Sequence, residues 1–286
     1  MDSEAFLELE GFLLRDPGGR GAAHLVRSGG LEAAARALLP ARRTLLLTGF
    51  PVLRAGVGET DGPGAARALG DALTQLGGEV RYVTDPLCAP LLRALEAEPL
   101  EVLELVVGEA AGARAFLSRT APSHLVAIER PGRSSDGHFR NMRGEAIDDL
   151  TAALDELFLH AGDAVSVAIG DGGNELGLSG AREQVVAHVA HGERIATVVG
   201  ADFPLAAGVS EWGGWVLVAA LSLLAGRDLL PTDEAVASRL HALVAAGAVD
   251  GVTAAPTPTL DGQSLEASLA LLGELRATVA RRLSGE

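Results

Sequence analysis

The sequence predicts an α/β protein: a mostly parallel sheet with helices on both faces, followed by a helical C-terminal third. Three observations predict it. Up to about residue 203, short apolar runs alternate with helix-length segments, the pattern left by strands joined through crossover helices. Hydrophobic residues make up 48% of the 286 positions and aromatics only 3%, so the core must be built from Ala, Val and Leu, which suits helices packed on a sheet. Beyond that point the chain turns mostly helical.

The elements follow in order. The first forty residues read as helices packed against the outside of the sheet, interrupted by the turn RDPGGRG at 15–21. Residues 44–50 (TLLLTGF) read as a strand that ends at glycine. A helix over 64–76 stops at Gly77-Gly78, and 79–85 (EVRYVTD) is the next strand. A helix over 91–98 stops before Pro99, 103–108 is strand-like, and 110–121 is helical. Strands are expected at 124–130 (HLVAIER), 164–171 (AVSVAIGD) and 196–203 (ATVVGADF), with a polar loop over 131–143. Helices are expected over 212–225, 233–246 and 264–283. No Pro-rich or Ser-rich linker divides the chain, so 1–286 reads as a single domain, with 1–40 a peripheral helical segment.

Composition removes several classes of function. The net charge is −15, and phosphate neutralisation needs an excess of basic residues, so nucleic acid and anionic membrane are not expected partners. All 23 basic residues are arginine. Without lysine there is no Schiff base, no pyridoxal phosphate anchor and no P-loop lysine, so neither pyridoxal phosphate nor a nucleotide is expected as a cofactor. The one cysteine, Cys88, allows no intrachain disulfide and no CxxC metal site, and reads as a small buried apolar side chain. The start Met1-Asp2-Ser3-Glu4 lacks the basic run of a signal peptide, and no run reaches about 18 apolar residues. A cytoplasmic protein is expected.

In open α/β sheets, ligands bind at the carboxyl ends of the strands, and carboxylates gather there. Glu59 and Asp61 follow the first strand, Asp85 ends the second, and Glu129 with Arg130 ends the fourth. Asp171, Asn174 and Glu175 (171–175, DGGNE) end the fifth, and Asp202 is expected to end the sixth. Crowded carboxylates need a cation, an arginine or a raised pKa. Oxygen ligands with Asn suit Mg²⁺, Mn²⁺ or Ca²⁺. Both acidic loops also read as glycine turns with helix caps, Asp61 capping the helix that starts near Pro63. The loop 129–144 carries Arg130, Arg133, Arg140 and Arg143 beside Glu129 and Asp136, and arginine forks suit an anionic substrate or surface ion pairs. His138 on that loop is a candidate general base. Ser210 is a candidate N-cap for an apolar helix whose N-terminus could face an anion.

Nine stretches occur in order along nearly the whole chain: RDPGGRG, TGFPV, ETDGPGA, YVTD, IERPGR, NMRG, AIGDGGNELG, GVSEWGGW and GAVDGVT. Together they resemble the D-glutamate cyclase family. Where members often carry SNWG, this chain has Ser210-Glu211-Trp212-Gly213, which adds an acid to that loop.

The resemblance implies a lyase that removes water from D-glutamate and closes it to 5-oxo-D-proline, with a small acid as the only expected partner and a homo-oligomer left open. A divalent cation, Mg²⁺ or Mn²⁺, would be held by Asp171 and Glu175 with Asp61, Glu59 or Asn174, and would polarise the γ-carboxylate. Arg130 or Arg143, with Asn141 and Ser210, would bind substrate. Asp85, Asp136 or His138 would carry protons. Two other readings fit the same acids: a metal-dependent phosphohydrolase, and a non-catalytic sensor of a ligand or cation.

Overall fold

The computed structural model describes residues 3–285; Met1 and Asp2 of the amino-terminal run lie outside the described residues. Two helices come first, α1 (Ser3–Leu13) and α2 (Gly30–Leu38). The buried Glu10 of α1 accepts from the backbone N–H groups of Gly29 and Leu31 at 3.0 Å, so α1 caps the N-terminus of α2. Then follow β1 (Arg43–Thr48), a small hairpin of β2 (Pro51–Val52) and β3 (Val57–Gly58), α3 (Pro63–Gln75), β4 (Glu79–Thr84), α4 (Ala89–Ala94), β5 (Leu100–Val102), α5 (Ala110–Thr120) and β6 (His124–Ile128). A long irregular segment leads to α6 (Asp155–Leu159) and β7 (Val165–Gly170). After α7 (Arg182–His188), α8 (Gly192–Ile195) and β8 (Phe203–Ala206), the chain is helical in α9 (Ser210–Ala225) and α10 (Asp233–Ala245). A second hairpin, β9 (Thr259–Leu260) and β10 (Gln263–Ser264), precedes α11 (Leu265–Ser284).

Six strands form one parallel sheet in the order β5-β4-β1-β6-β7-β8. The α/β reading holds. Every residue of β6, and all but the first of β1 and β7, is buried or nearly so, which is why these strands read as unbroken apolar runs rather than alternating ones. Leu46, Val126, Ile128, Val167 and Ile169 pack on one face with α3 and α9. Leu45, Leu47, Leu125, Ala127 and Ala168 pack on the other, against Phe116, Leu157 and Phe158 of α5 and α6.

Helix α9 is buried from Ser210 to Leu223. It rests on the sheet beside α3 and is covered by α1, α2 and α11, so the first forty residues bury Phe6, Leu9, Leu31 and Leu38 completely or nearly so. Among the described residues, no helix is long and apolar enough to cross a membrane.

Two strands are displaced from their expected positions. The run 103–108 is a surface loop in which Val106 is 64% exposed; the edge strand is the preceding Leu100–Val102. Residues 196–202 are irregular, because Thr197 bridges Ser134 and Gly200 bridges Gly177 instead of joining the sheet. The sixth strand therefore starts at Phe203, and Asp202 lies at its amino end, where its carboxylate accepts from Ser166 N and Oγ at 2.8 Å. Asp202 leaves the group at the carboxyl ends.

Helices α3 and α9 cross closely at glycine: a Cβ on Gly214 would stand 2.6 Å from Ala65 Cβ. Gly214→Ala is expected to force the pair apart and to cost about 1–3 kcal/mol, more than the helix propensity it gains, as read from urea unfolding. An unchanged midpoint would contradict this packing.

Candidate active site

The order of the strands reverses between β1 and β6, and α/β sheets open a crevice at such a point. A cavity of about 490 Å³ lies there. The segment after β1 supplies Phe50 to Arg54 and Glu59, the residue after β6 supplies Glu129, and the loop after β7 supplies Asp171, Asn174 and Glu175. Arg20 and Asp261 reach it from the two ends of the chain, and Asn141, Met142, Arg143 and Glu145 form a further wall.

Its floor is carboxylic, and backbone N–H groups, side-chain donors and close backbone passage hold the acids in place. Glu129 follows β6 with φ +45°, an uncommon conformation for a side chain with a Cβ, and its Oε2 accepts from Ser210 Oγ at 2.5 Å. A Cβ on Gly62 would lie 2.5 Å from Glu129 Cβ, so only glycine lets the loop after β3 pass this close. Asp61 accepts from the N–H groups of Ser210 and Glu211 at 3.1 and 2.7 Å. It caps α9, and not the nearby α3, whose N-cap carries no side-chain hydrogen bond. Glu175 accepts from Gly172 and Gly173 at 2.8 and 2.7 Å and folds back on its own loop. Asn174 Nδ2 donates to Arg140 O at 2.8 Å. The close approach of Gly251, whose Cβ would meet Glu59 Oε2, confines Glu59. Oxygens of Asp61, Glu129 and Asp171 lie within 4.8 Å of one another.

One cation sits among them. Arg20 Nη2 donates to Asp171 Oδ2 at 2.8 Å, to Asp261 Oδ2 at 2.5 Å and to Gly208 O at 3.2 Å. Burial alone would favour its neutral form, but Asp171 and Asp261 hold it more firmly charged than a free arginine. Burial pushes Glu59, Asp61, Glu129 and Asp171 well above the usual carboxylate range, and their mutual repulsion pushes the same way. Burial also raises Glu175, against the lowering effect of its backbone N–H partners. Both effects favour the protonated forms of these groups.

The residues expected from sequence fall into three groups. Glu59, Asp171, Asn174, Glu175, Asn141 and Arg143 line the cavity, with Asp61 and Ser210 directly behind it. Asp85 and Arg130 form a buried ion pair at 2.6 Å, and Arg130 also donates to Gly49 O and Ala152 O. Neither lines the cavity, and Arg130 serves as a brace between loops. Asp136 and His138 lie out on the loop surface. Arg140, at 2.5 Å, holds the Asp136 carboxyl well below the usual range, and His138 Nδ1 faces Asp148. The thiol of Cys88 is buried, and burial raises its pKa well above the ordinary value.

Arg20, Asp261, Arg54 and Glu129's place in the acidic trio were not singled out. For Arg20 the only signal is the glycine-rich turn: Asp16 accepts from the N–H groups of Arg20 and Gly21 and shapes the loop that aims it.

A parallel doubly wound sheet with a buried acid floor at its switch point, partly neutralised by a single arginine, defines the class of site. A model of the family described as D-glutamate cyclase-like, C-terminal, matches residues 9–276, and the chain belongs to that family. It is 38% identical over 242 residues to the human protein named D-glutamate cyclase, mitochondrial, covering 78% of this chain. The chain spans 39% of that relative's length.

Glu211, the residue that departs from SNWG, is buried behind Asp61, and burial lifts it from 4.5 to about 7. The folded protein holds this proton more tightly than the unfolded chain. Its contribution to stability is thus full below about pH 4.5 and is lost as pH rises through about 7. Glu211→Gln keeps the shape of the protonated form. Its stability relative to wild type should rise between about pH 5 and about pH 8, by an amount on the order of 3 kcal/mol. Melting temperatures across that range test this; a constant offset would contradict it.

Proposed function

We propose that this chain is a hydro-lyase that converts D-glutamate to 5-oxo-D-proline and water. The observation that carries the reading is the buried acid floor, where oxygens of Asp61, Glu129 and Asp171 lie within 4.8 Å of one another beside the fixed guanidinium of Arg20 and burial and repulsion favour the protonated carboxyl groups. Family membership and the printed name of the human relative support the same chemistry.

The reaction is a proton exchange around one new bond. The amine nitrogen attacks the γ-carboxyl carbon, a C–N bond forms, and a C–O bond breaks. The ammonium gives up two protons on its way to the lactam N–H, and the departing oxygen takes up two on its way to water. No net proton is exchanged with solvent, so carboxyl groups of the floor can pass the protons between nitrogen and oxygen. Glu129 is placed for this: it lines the cavity, its Oε2 is held by Ser210, and its neighbours are acids. Glu59 and Asp171 border the same space. Holding amine and carboxyl together in the cavity supplies the proximity on which ring closure depends. Arg143, on the cavity wall with its backbone N–H held by Asn141 Oδ1, binds the α-carboxylate.

The donor set also fits a hard divalent cation, since three carboxylates bring oxygens within 4.8 Å and, among the described residues, no softer ligand joins them. Asp61, Glu129 and Asp171 would hold it, with Glu129 taking the place expected for Glu175, which accepts from its own loop, and for Asn174, whose amide donates to Arg140 O. Such a cation would supply charge neutralisation at the γ-carboxylate.

The purified protein incubated with D-glutamate and Mn²⁺ should release 5-oxoproline, followed by chromatography. Glu129→Gln and Asp171→Asn are each expected to lower kcat by about 10²- to 10⁴-fold. EDTA should abolish turnover and Mn²⁺ restore it. Binding of D-glutamate without product, with and without metal, would contradict the lyase reading.

A further inference from the structure

D-glutamate brings one positive and two negative groups to a cavity whose charges are divided by depth. The buried floor offers Glu59, Glu129, Asp171, Glu175 and Asp261. At the mouth, two exposed arginines come from separate loops, Arg54 from the turn between β2 and β3, and Arg143 from the loop after β6. Arg20 is already committed to Asp171 and Asp261. Arg54 donates only to the carbonyl of Val252, at 2.7 Å, and neither Arg54 nor Arg143 is in a salt bridge among the described residues. The acid at the mouth, Glu145, accepts from Asn141 at 2.9 Å.

We infer that Arg54 and Arg143 together clamp the substrate's α-carboxylate and thereby select its handedness. The inference rests on the cyclase reading and adds Arg54 and a role to it. Proton exchange requires the amine and the γ-carboxyl group to meet at the acid floor. With those two groups fixed, the two enantiomers differ in which way the third substituent of Cα points. One hand sends the α-carboxylate up to the two guanidinium groups, where bidentate pairing is available. The other turns it onto the carboxylic floor, where like charges repel in a poorly hydrated space. Selection thus has an attractive element at the mouth and a repulsive one at the floor.

The α-carboxylate passes unchanged into 5-oxoproline, so the clamp binds substrate and transition state alike. Its loss should appear in KM and leave kcat little altered. Arg54→Ala, Arg143→Ala and the double variant lie at exposed positions, and Arg54→Lys with Arg143→Lys provides a second pair that keeps the charge. With D-glutamate, each alanine variant is expected to raise KM about 10- to 100-fold, as loss of a charged hydrogen-bonded contact does, with the lysine variants between. KM for L-glutamate should hardly move, so the D-to-L ratio of kcat/KM falls by about the same factor. Where L-glutamate turns over too slowly to read, 5-oxo-D-proline and 5-oxo-L-proline as inhibitors give the ratio. A double variant that keeps the wild-type ratio, or one that loses kcat for both enantiomers equally, overturns the clamp while leaving the cyclase reading intact. A wild-type protein that forms no 5-oxoproline from either enantiomer overturns the reading, and the clamp with it.

Discussion

The ion pairs of Arg20 with Asp171 and Asp261 are the interaction on which the rest of the site depends. Glu59, Asp61, Glu129, Asp171, Glu175 and Asp261 are all buried within one small region. Six carboxylates taken out of water together would repel one another and lose their hydration, a cost of several kcal/mol for each ion left uncompensated. Three devices make the cluster tolerable. Arg20 supplies a full positive charge. Backbone N–H groups of α9 and of the 171–175 loop supply partial ones to Asp61 and Glu175. Protonation, favoured by burial and repulsion at Glu59 and Glu129, lessens the charge further. The first device depends on a loop far away in sequence. That loop is pinned by Asp16 and by the tight passage of Gly208 past Arg15, whose carbonyl a Cβ would strike.

The sheet determines where this can happen. Crossovers on either side of β1 and β6 carry the chain away in opposite directions and leave the carboxyl ends of these two strands uncovered. Loops from β1, β6 and β7 then meet there, and α9 aims its first N–H groups at Asp61 from the adjoining layer. The positive φ of Glu129 belongs to the same arrangement, since a residue in an ordinary strand conformation would continue the sheet. The fold therefore holds the acids of the floor at strand ends and beside a helix terminus, while the arginines at the mouth ride on loops.

Much of this was legible in the sequence, and the parts that were not share a physical cause. Strands β1, β6 and β7 announced themselves as apolar runs ending in glycine or acid, because both faces are buried. The DGGNE loop read equally as a ligand site and as a glycine turn, and it has features of both: Asp171 lines the cavity while Glu175 folds back on its own N–H groups. The runs 103–108 and 196–203 misled because apolarity there serves a surface loop and a loop-to-loop pairing. Local pattern cannot show pairing between distant residues. Arg130 and Asp85 looked like site groups until the structure joined them to each other across 45 positions. Arg20 and Asp261 looked like nothing in particular, being 241 positions apart. Asp61 was read as the cap of the next helix, when it caps one about 150 residues later.

A double-mutant cycle between Arg20 and Asp171, read from unfolding free energies, tests the central claim most directly. If Arg20 is the counter-charge that makes the acid floor tolerable, Arg20→Met alone should cost about 3–5 kcal/mol. Adding Asp171→Asn should return part of that loss, with a coupling energy of about 1–3 kcal/mol. Two single effects that simply add would show that the floor is stabilised without its arginine and would contradict the account.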